Sequence, residues 1–230
     1  MQVLSVSPAG RGLVRVTFDK LFSFSDPAPR FESLPRYLRE CGDFEEKRDY
    51  IFLDAKAFSE RAYKEGEISG ADLSELIQVC DRYRAWEKAL GHLERRDYSR
   101  SALIKKLLEK GEASLSAAEN AADKLEQTGL LDDERLALRL WEGFTTEKRL
   151  SAREARRRLT LAGIPAEIAE AAIGKPESGG DLKNIKQLLS TKYSRLLTDK
   201  ENIPKIKQAL LRRGFAFGDI NAVLRQTTGF

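Results

Sequence analysis

The pattern of hydrophobic and polar positions changes character near residue 55. Before that point, short runs rich in β-branched and aromatic residues predict strands at Gln2–Val6, Leu13–Phe18 and Asp49–Leu53. After it, apolar residues recur three and four positions apart, which is the spacing of amphipathic helices. We therefore expect a mainly α protein that is preceded by a small N-terminal domain with β structure.

Local signals refine this N-terminal part. Gly10–Gly12 offers the positive φ that a hairpin turn needs, and the two prolines of Ser25–Pro29 predict a loop. One helix is expected to begin at about Ala55, to carry Ala57, Phe58 and Ala62, and to end at Gly66. A second helix is expected to carry Leu73, Leu76, Ile77 and Cys80 as its buried stripe.

Beyond residue 85 the sequence repeats. The segments 101–111, 153–163 and 204–214 superpose on their terminal glycines, which lie 52 and 51 residues apart. Two apolar positions of this frame are four residues apart, so each pair lies on one helical face. The two sets of core positions are Leu103, Ala155 and Ile206, and Leu107, Leu159 and Leu210.

Helix-end signals frame each repeated segment. The glycine predicts a C-terminal cap, because a left-handed residue stops a helix there. Ser99, Ser151 and Thr198 precede the three helices as candidate N-caps.

Each repeated helix has an apolar-striped helix before it and another after it, so the unit is three helices in about fifty residues. Because a single unit buries little, we expect the units to stack into an elongated array of three three-helix repeats. Pro176–Gly180 is expected to be a linker. The predicted divisions are an N-terminal β-containing region 1–55, a helical connector 56–85, and repeats 86–130, 131–176 and 177–230.

The distribution of charge adds a candidate binding surface. The first 85 residues carry 13 Lys and Arg against 15 Asp and Glu, whereas residues 181–230 carry 10 against 4. A basic segment of this kind attracts polyanions or acidic protein surfaces. The candidate binding residues are the cations at non-core positions of the repeated helices: Lys105, Lys106, Arg156, Arg157, Arg158, Lys205, Lys207, Arg212 and Arg213.

The sequence gives little support for catalysis, nucleotide binding or metal binding. The sequence contains no phosphate-binding loop and no dinucleotide fingerprint, and a single histidine, His92, excludes a histidine-rich metal site. Asp132–Glu134 could be imagined as a cation site, but an N-terminal helix cap explains these acids better. Cys41 and Cys80 are expected to be reduced thiols. We expect no enzymatic activity, no cofactor and no metal.

The cellular location follows from the same totals. No apolar run approaches the roughly 18 residues that a membrane span needs. Met1–Ser5 carries neither a positive cluster nor a long apolar block, which argues against a signal peptide. A cytoplasmic location is therefore expected.

Three segments carry a family resemblance. Gly129–Ala137, with Tyr98–Gly111 upstream and Leu210–Ile220 downstream, resembles the RecX family of recombination regulators over roughly residues 86–225. The resemblance implies a monomer that binds RecA filaments on single-stranded DNA and restrains their growth, ATPase and strand exchange. It implies contact with single-stranded DNA that is weak or made through RecA. The chain departs from the family pattern at Glu112–Ser116, and the 1–50 region is longer than is usual.

Two hypotheses remain open on sequence alone. The first is a protein that binds the recombinase filament through its repeated cations. The second is a direct DNA-binding, helix-turn-helix-like protein that acts without RecA, with Arg153–Arg158 as its recognition helix or phosphate-contacting helix. Acidic residues between the cations, and few aromatics for stacking on bases, argue against the second.

Overall fold

The computed structural model describes residues 2–10, 12–22, 48–60, 66–67, 70–174 and 179–228. The predicted proline loop at 25–29, Cys41 and residues 176–178 of the predicted linker lie outside these ranges.

The N-terminal part forms a four-stranded antiparallel sheet in the order β3-β2-β1-β4. Its side chains alternate between faces, so Val16 and Phe18 of β2 are buried while Arg15 and Asp19 are exposed. Gly12, at φ 73°, makes the turn between the first two strands, as predicted. The strands are β1 (Gln2–Gly10), β2 (Leu13–Phe22), β3 (Arg48–Asp54) and β4 (Gly66–Glu67).

One helix prediction in this part is wrong. The first helix, α1 (Ala55–Glu60), is present. Gly66, its predicted end, pairs with Val3 of β1, and residues 61–65 lie outside the described ranges. The second, α2 (Gly70–Leu93), is one continuous helix where the pattern predicted two. The reason is that residues 71–90 contain no glycine or proline to end it.

Helices make up the rest of the described chain, which confirms a mainly α fold with β structure at its start. They are α3 (Arg100–Glu109), α4 (Leu115–Gln127), α5 (Asp133–Glu142), α6 (Ala152–Leu161), α7 (Ala166–Ile173), α8 (Gly180–Thr191), α9 (Ile203–Arg212) and α10 (Phe217–Thr228). A π-helical turn, Gly143–Glu147, follows α5, and two short 3₁₀ turns precede α9. None of the described helices is long and apolar enough to cross a membrane.

The chain divides into two compact units, residues 1–131 and 132–230. In the first unit, the end of α2 packs with α3 and α4 around one hydrophobic cluster. In the second, one cluster lies among α5, α6 and α7, and another among α8, α9 and α10. The predicted three-helix grouping is therefore present in both units.

The repeated frame is confirmed at its core positions. Leu107, Leu159 and Leu210 have no exposed surface, and the preceding positions of the frame are buried in all three repeats. The terminal glycines Gly111, Gly163 and Gly214 have φ values of 61°, 83° and 89°. After each of them, the next backbone N–H donates to the carbonyl of the shared leucine, at 2.9, 3.1 and 3.4 Å. This is the hydrogen-bonding pattern of a glycine-terminated helix.

Two of the three predicted N-caps are confirmed. The Oγ atoms of Ser99 and Ser151 accept hydrogen bonds from backbone N–H groups at 3.3 and 3.1 Å. Thr198 does not cap α9, because the two 3₁₀ turns lie near it and the helix begins only at Ile203. Pro204, whose fixed φ suits a first helical turn, lies directly after that start.

Candidate functional site

The candidate cations of the first repeat lie on α3. Lys105 is largely exposed, and its Nζ lies 3.7 Å from the Glu109 carboxylate one helical turn later. Lys106 is half-buried. An exposed pair of this kind contributes little to stability, so Lys105 remains available to a partner.

Arg156, on α6, is held within its own repeat. Its Nε lies 2.5 Å from the Glu170 carboxylate on α7, and its guanidinium lies 5.4 Å from the centre of the Trp141 ring. The hydrogen bond from Arg156 lowers the pKa of Glu170. Arg156 therefore joins the three helices of repeat 2 and presents only part of its charge to solvent.

The next two arginines share one carboxylate. Nε of Arg157 and Nε of Arg158 lie 2.8 and 2.9 Å from the two oxygens of Glu154. These hydrogen bonds lower the pKa of Glu154 to about 2, and Glu154 raises the pKa of Arg157 in return. The two arginines and Glu154 together carry one net positive charge at neutral pH.

The cations of α9 have different partners. Lys205 donates to the side-chain oxygen of Asn202 at 3.3 Å, and Arg212 donates to that of Gln208 at 3.3 Å. Lys207 lies 5.8 Å from the centre of the Phe217 ring, and Arg213 donates to the Lys148 carbonyl. Within the described ranges none of the four pairs with a carboxylate, so α9 keeps most of its positive charge.

Three of the predicted cations, Arg158, Arg212 and Arg213, meet at a groove of about 630 Å³ in the second unit. They are joined there by three cations that the sequence analysis missed, Lys148, Arg149 and Lys192. We call this the basic groove; its other lining residues are Glu147, Leu150, Leu188, Tyr193 and Ala209. The adjacent pair Lys148 and Arg149 was the signal available in the sequence.

Backbone contacts build the basic groove from distant segments. The guanidinium of Arg213 reaches the Lys148 carbonyl, while the Arg213 carbonyl accepts from the Ser151 N–H at 3.0 Å. The side-chain amide of Asn184, on α8, donates to the Leu150 carbonyl at 3.4 Å. The loop 148–151 is thus fixed between α8 and the end of α9, and it carries Arg149 into the groove.

The other candidate residues have structural roles. The Asp132 carboxylate accepts from the Arg135 N–H at 2.8 Å, which confirms the helix cap. His92 lies 2.7 Å from the Glu112 carboxylate, and Cys80 is fully buried. No group of three potential metal-ligating side chains is found in the part of the chain that the structure describes.

These features define a class of protein. It is a helical-repeat protein whose repeated helices carry cations outside a glycine-terminated apolar core. No model of a known protein family matches the chain. It is, however, 32% identical over 145 residues to the regulatory protein RecX of Xanthomonas axonopodis pv. citri, a match that covers 60% of this chain and 85% of that protein. On this relationship, the chain belongs to the RecX family.

Further relatives agree. The regulatory protein RecX of Trichlorobacter lovleyi is 28% identical over 142 residues, which cover 60% of this chain and 90% of that protein. A crystal structure of RecX from Lactobacillus salivarius superposes with a TM-score of 0.54 at 20% identity, covering 65% of this chain and 98% of that one. Another crystal structure, of a regulatory protein RecX, covers 99% of this chain and 98% of its own, with a TM-score of 0.57 at 14% identity. At these identities the two structures establish the fold alone.

Proposed function

We propose that this protein is a non-catalytic, negative regulator of the RecA recombinase. In this proposal it binds the RecA filament on single-stranded DNA and restrains filament growth, ATPase and strand exchange. The observation that carries the proposal is the identity of 32% to a regulatory protein RecX, over 85% of that relative's length. In this proposal the protein acts in the cytoplasm as a monomer, without a cofactor, and it contacts DNA through RecA.

The repeated cations support a binding role. Arg156 and Lys207 occupy the same position of the repeated frame, and Lys105 and Arg157 share another. Positions that recur from repeat to repeat offer several weak contacts to a partner that is itself repetitive. Such contacts add up to a useful affinity even when each is weak.

The proposed division of labour follows the predicted boundaries. Repeats 86–130, 131–176 and 177–230 contact the filament in this proposal. The N-terminal region 1–55 and the connector 56–85 lie outside residues 86–225, where the family resemblance is strongest, and we assign them no contact.

The test is inhibition of the DNA-dependent ATPase of RecA by the full chain. We expect the wild-type protein to inhibit, and the triple variant Arg156→Ala, Arg157→Ala, Lys207→Ala to need about tenfold more protein for the same effect. Three lost contacts of about 0.5 kcal/mol each amount to roughly one factor of ten. Circular dichroism and thermal unfolding check that the variant is folded.

A matched control removes the same charge elsewhere. Lys110, Lys124 and Lys186 are exposed lysines outside the candidate set, and their triple alanine variant should inhibit like the wild type. Inhibition by the folded Arg156, Arg157, Lys207 variant at wild-type concentrations would show that these cations are only solvated surface. Wild-type protein that binds DNA alone and leaves the RecA ATPase unchanged would favour the direct DNA-binding hypothesis instead.

A further inference from the structure

We propose that the basic groove is a docking site for an acidic segment of a partner protein, in which the Arg149 guanidinium binds a carboxylate. The proposal deepens the proposed function by assigning a surface to a protein partner. It rests on that function only for the identity of the partner.

Arg149 is held in an unfavourable conformation. Among the described residues it is the non-glycine residue with a left-handed backbone, at φ 47°. Its Nε atom is buried and has no hydrogen-bond partner within those residues. A strained backbone and an unsatisfied polar atom each cost stability, and such features concentrate at binding sites. A carboxylate in the groove would accept a charge-assisted hydrogen bond from this guanidinium.

The charges around Arg149 are almost all of one sign. Six cations line the basic groove, and Glu147 is the one carboxylate in its described lining. Arg158 shares Glu154 with Arg157, whereas Lys148, Lys192 and Arg212 have no carboxylate partner within the described ranges. Cations held this close repel one another, and an acidic ligand relieves that repulsion.

The rings at the groove favour an acidic protein segment over nucleic acid. Phe144 is not in the groove lining, but two groove cations lie over its ring: the Nζ of Lys148 and the guanidinium of Arg158 are 5.1 and 5.7 Å from its centre. Tyr193 is buried beneath Lys192, whose Nζ lies 5.8 Å from its ring centre. Proteins that bind single-stranded DNA stack its bases on exposed aromatic rings, and the described lining of the groove offers no exposed ring.

The apolar part of the groove lining points the same way. Leu150, Leu188 and Ala209 line the groove together with its six cations. A protein segment can fill such a hollow with apolar side chains while its carboxylates meet the rim. A phosphodiester backbone has only its sugar carbons to place there. The lining therefore fits a segment that mixes Asp or Glu with apolar residues.

The experiment measures binding of a fluorescent peptide of alternating Glu and Leu to the full chain by fluorescence anisotropy. Its counterpart with Gln in place of Glu, and a labelled oligo-dT, are measured alongside. We expect the wild-type protein to bind the Glu peptide at least about tenfold more tightly than the Gln peptide, because the groove contributes several charge-assisted contacts.

The variants separate the groove from general charge. Arg149→Gly removes the guanidinium and keeps the fold, because glycine adopts φ 47° without strain. It should weaken binding of the Glu peptide about tenfold, and Lys192→Gln should weaken it in the same direction. Lys186→Gln removes an exposed charge of α8 outside both the groove lining and the candidate binding residues, and it should leave peptide binding unchanged.

Two results would overturn the docking site: equal binding of the Glu peptide by wild type and Arg149→Gly, or an Arg149→Gly defect confined to oligo-dT. The RecA ATPase assay distinguishes this failure from that of the proposed function. If the protein inhibits RecA but Arg149→Gly does not weaken peptide binding, the docking-site proposal is wrong and the proposed function stands. If the protein binds the peptide as predicted but does not inhibit RecA, the docking-site proposal stands and the proposed function is wrong.

Discussion

At the scale of single residues, Leu107, Leu159 and Leu210 serve two purposes at once. Their side chains are fully buried in their clusters, and their carbonyls accept the hydrogen bonds that close the glycine-terminated helix ends. The backbone contact needs no particular side chain. The side chain therefore acts through its burial alone, and its removal tests packing without disturbing the cap.

We predict that Leu107→Ala, Leu159→Ala and Leu210→Ala each lower the free energy of unfolding by about 2–5 kcal/mol, because each leaves a cavity. Leu108 and Leu211 are the next residues along the helices and are 39% and 43% exposed. Their alanine variants are matched controls and should lose less than about 1 kcal/mol. Urea unfolding followed by circular dichroism measures both sets. Equal losses for core and control leucines would contradict the repeat alignment.

Sequence reasoning at this scale found the core and missed much of the site. The leucines and glycines follow from a period that is visible in the chain. The ion pair of Arg156 with Glu170 crosses from one helix to the next over 14 residues, and no helical spacing predicts it. Arg149 was missed because its backbone strain and buried Nε arise only when α8 and α9 close around the loop.

At the scale of elements, the junction between α2 and α4 depends on one serine. Ser114 accepts from the Ala117 N–H at 3.3 Å as the N-cap of α4, and its own N–H and hydroxyl donate to Asp81 on α2. Burial raises the pKa of Asp81, and the hydrogen bonds from Ser114 oppose that rise. Ser114 lies among the residues that follow Gly111, where this chain departs from the family pattern.

We predict that Ser114→Ala costs about 2–3 kcal/mol of unfolding free energy, because it removes a helix cap and one donor to a buried carboxylate. Asp132→Ala, which removes a cap from α5, is the matched control and should cost about 1 kcal/mol. In an Asp81→Asn background the loss from Ser114→Ala should shrink, since the buried charge is gone. Chemical denaturation of the four variants at neutral pH measures these differences. A Ser114→Ala loss no larger than that of Asp132→Ala would show that the contact with Asp81 contributes nothing.

Element boundaries were predictable where the signal is local. Ser99, Ser151 and Asp132 were identified as caps because a capping side chain lies next to the helix it starts. The prediction of Thr198 as an N-cap is wrong because its candidate helix begins several residues later. The 3₁₀ turns before that helix have no periodic pattern by which the sequence could predict them.

At the scale of the molecule, repeats 2 and 3 meet within residues 132–230 at a glycine. Ser151, at the start of α6, donates its N–H to Arg213 at the end of α9. A Cβ on the next residue, Gly214, would lie 2.5 Å from both the Glu154 Cβ and the Ser151 Oγ. Gly214 is thus required twice, for its φ of 89° and for the space that a side chain would fill.

We predict that Gly214→Ala lowers the free energy of unfolding by about 3 kcal/mol, since backbone strain and overpacking each cost on the order of 1–2 kcal/mol. Gly129 has a φ of 69°, and a Cβ added there would meet nothing within 4 Å, so Gly129→Ala carries the strain alone. That control should lose about 1 kcal/mol. Thermal and urea unfolding of the two variants compare them directly. Equal losses of unfolding free energy for Gly214→Ala and Gly129→Ala would show that the junction accommodates the added Cβ at no cost in stability.

The charge totals predicted a basic C-terminal part but not the basic groove. Lys148 and Arg213 lie far apart in sequence, and they share a lining only because the end of α9 lies against the loop before α6. Counts of charged residues do not show which distant residues lie together in the fold. The repeat period, by contrast, is a property of the chain itself, and it predicted the three-helix grouping correctly.

The junction at Gly214 bears on how the chain folds as it is synthesised. Arg153 donates to the Gly214 carbonyl across a separation of 61 residues, close to the point where Ser151 caps α6. A nascent chain that ends before α9 can form α5, α6 and α7 but leaves the start of α6 without this neighbour. Closing so long a loop costs entropy before any contact rewards it. The start of α6 should therefore remain frayed on the ribosome until repeat 3 has emerged and docked against it.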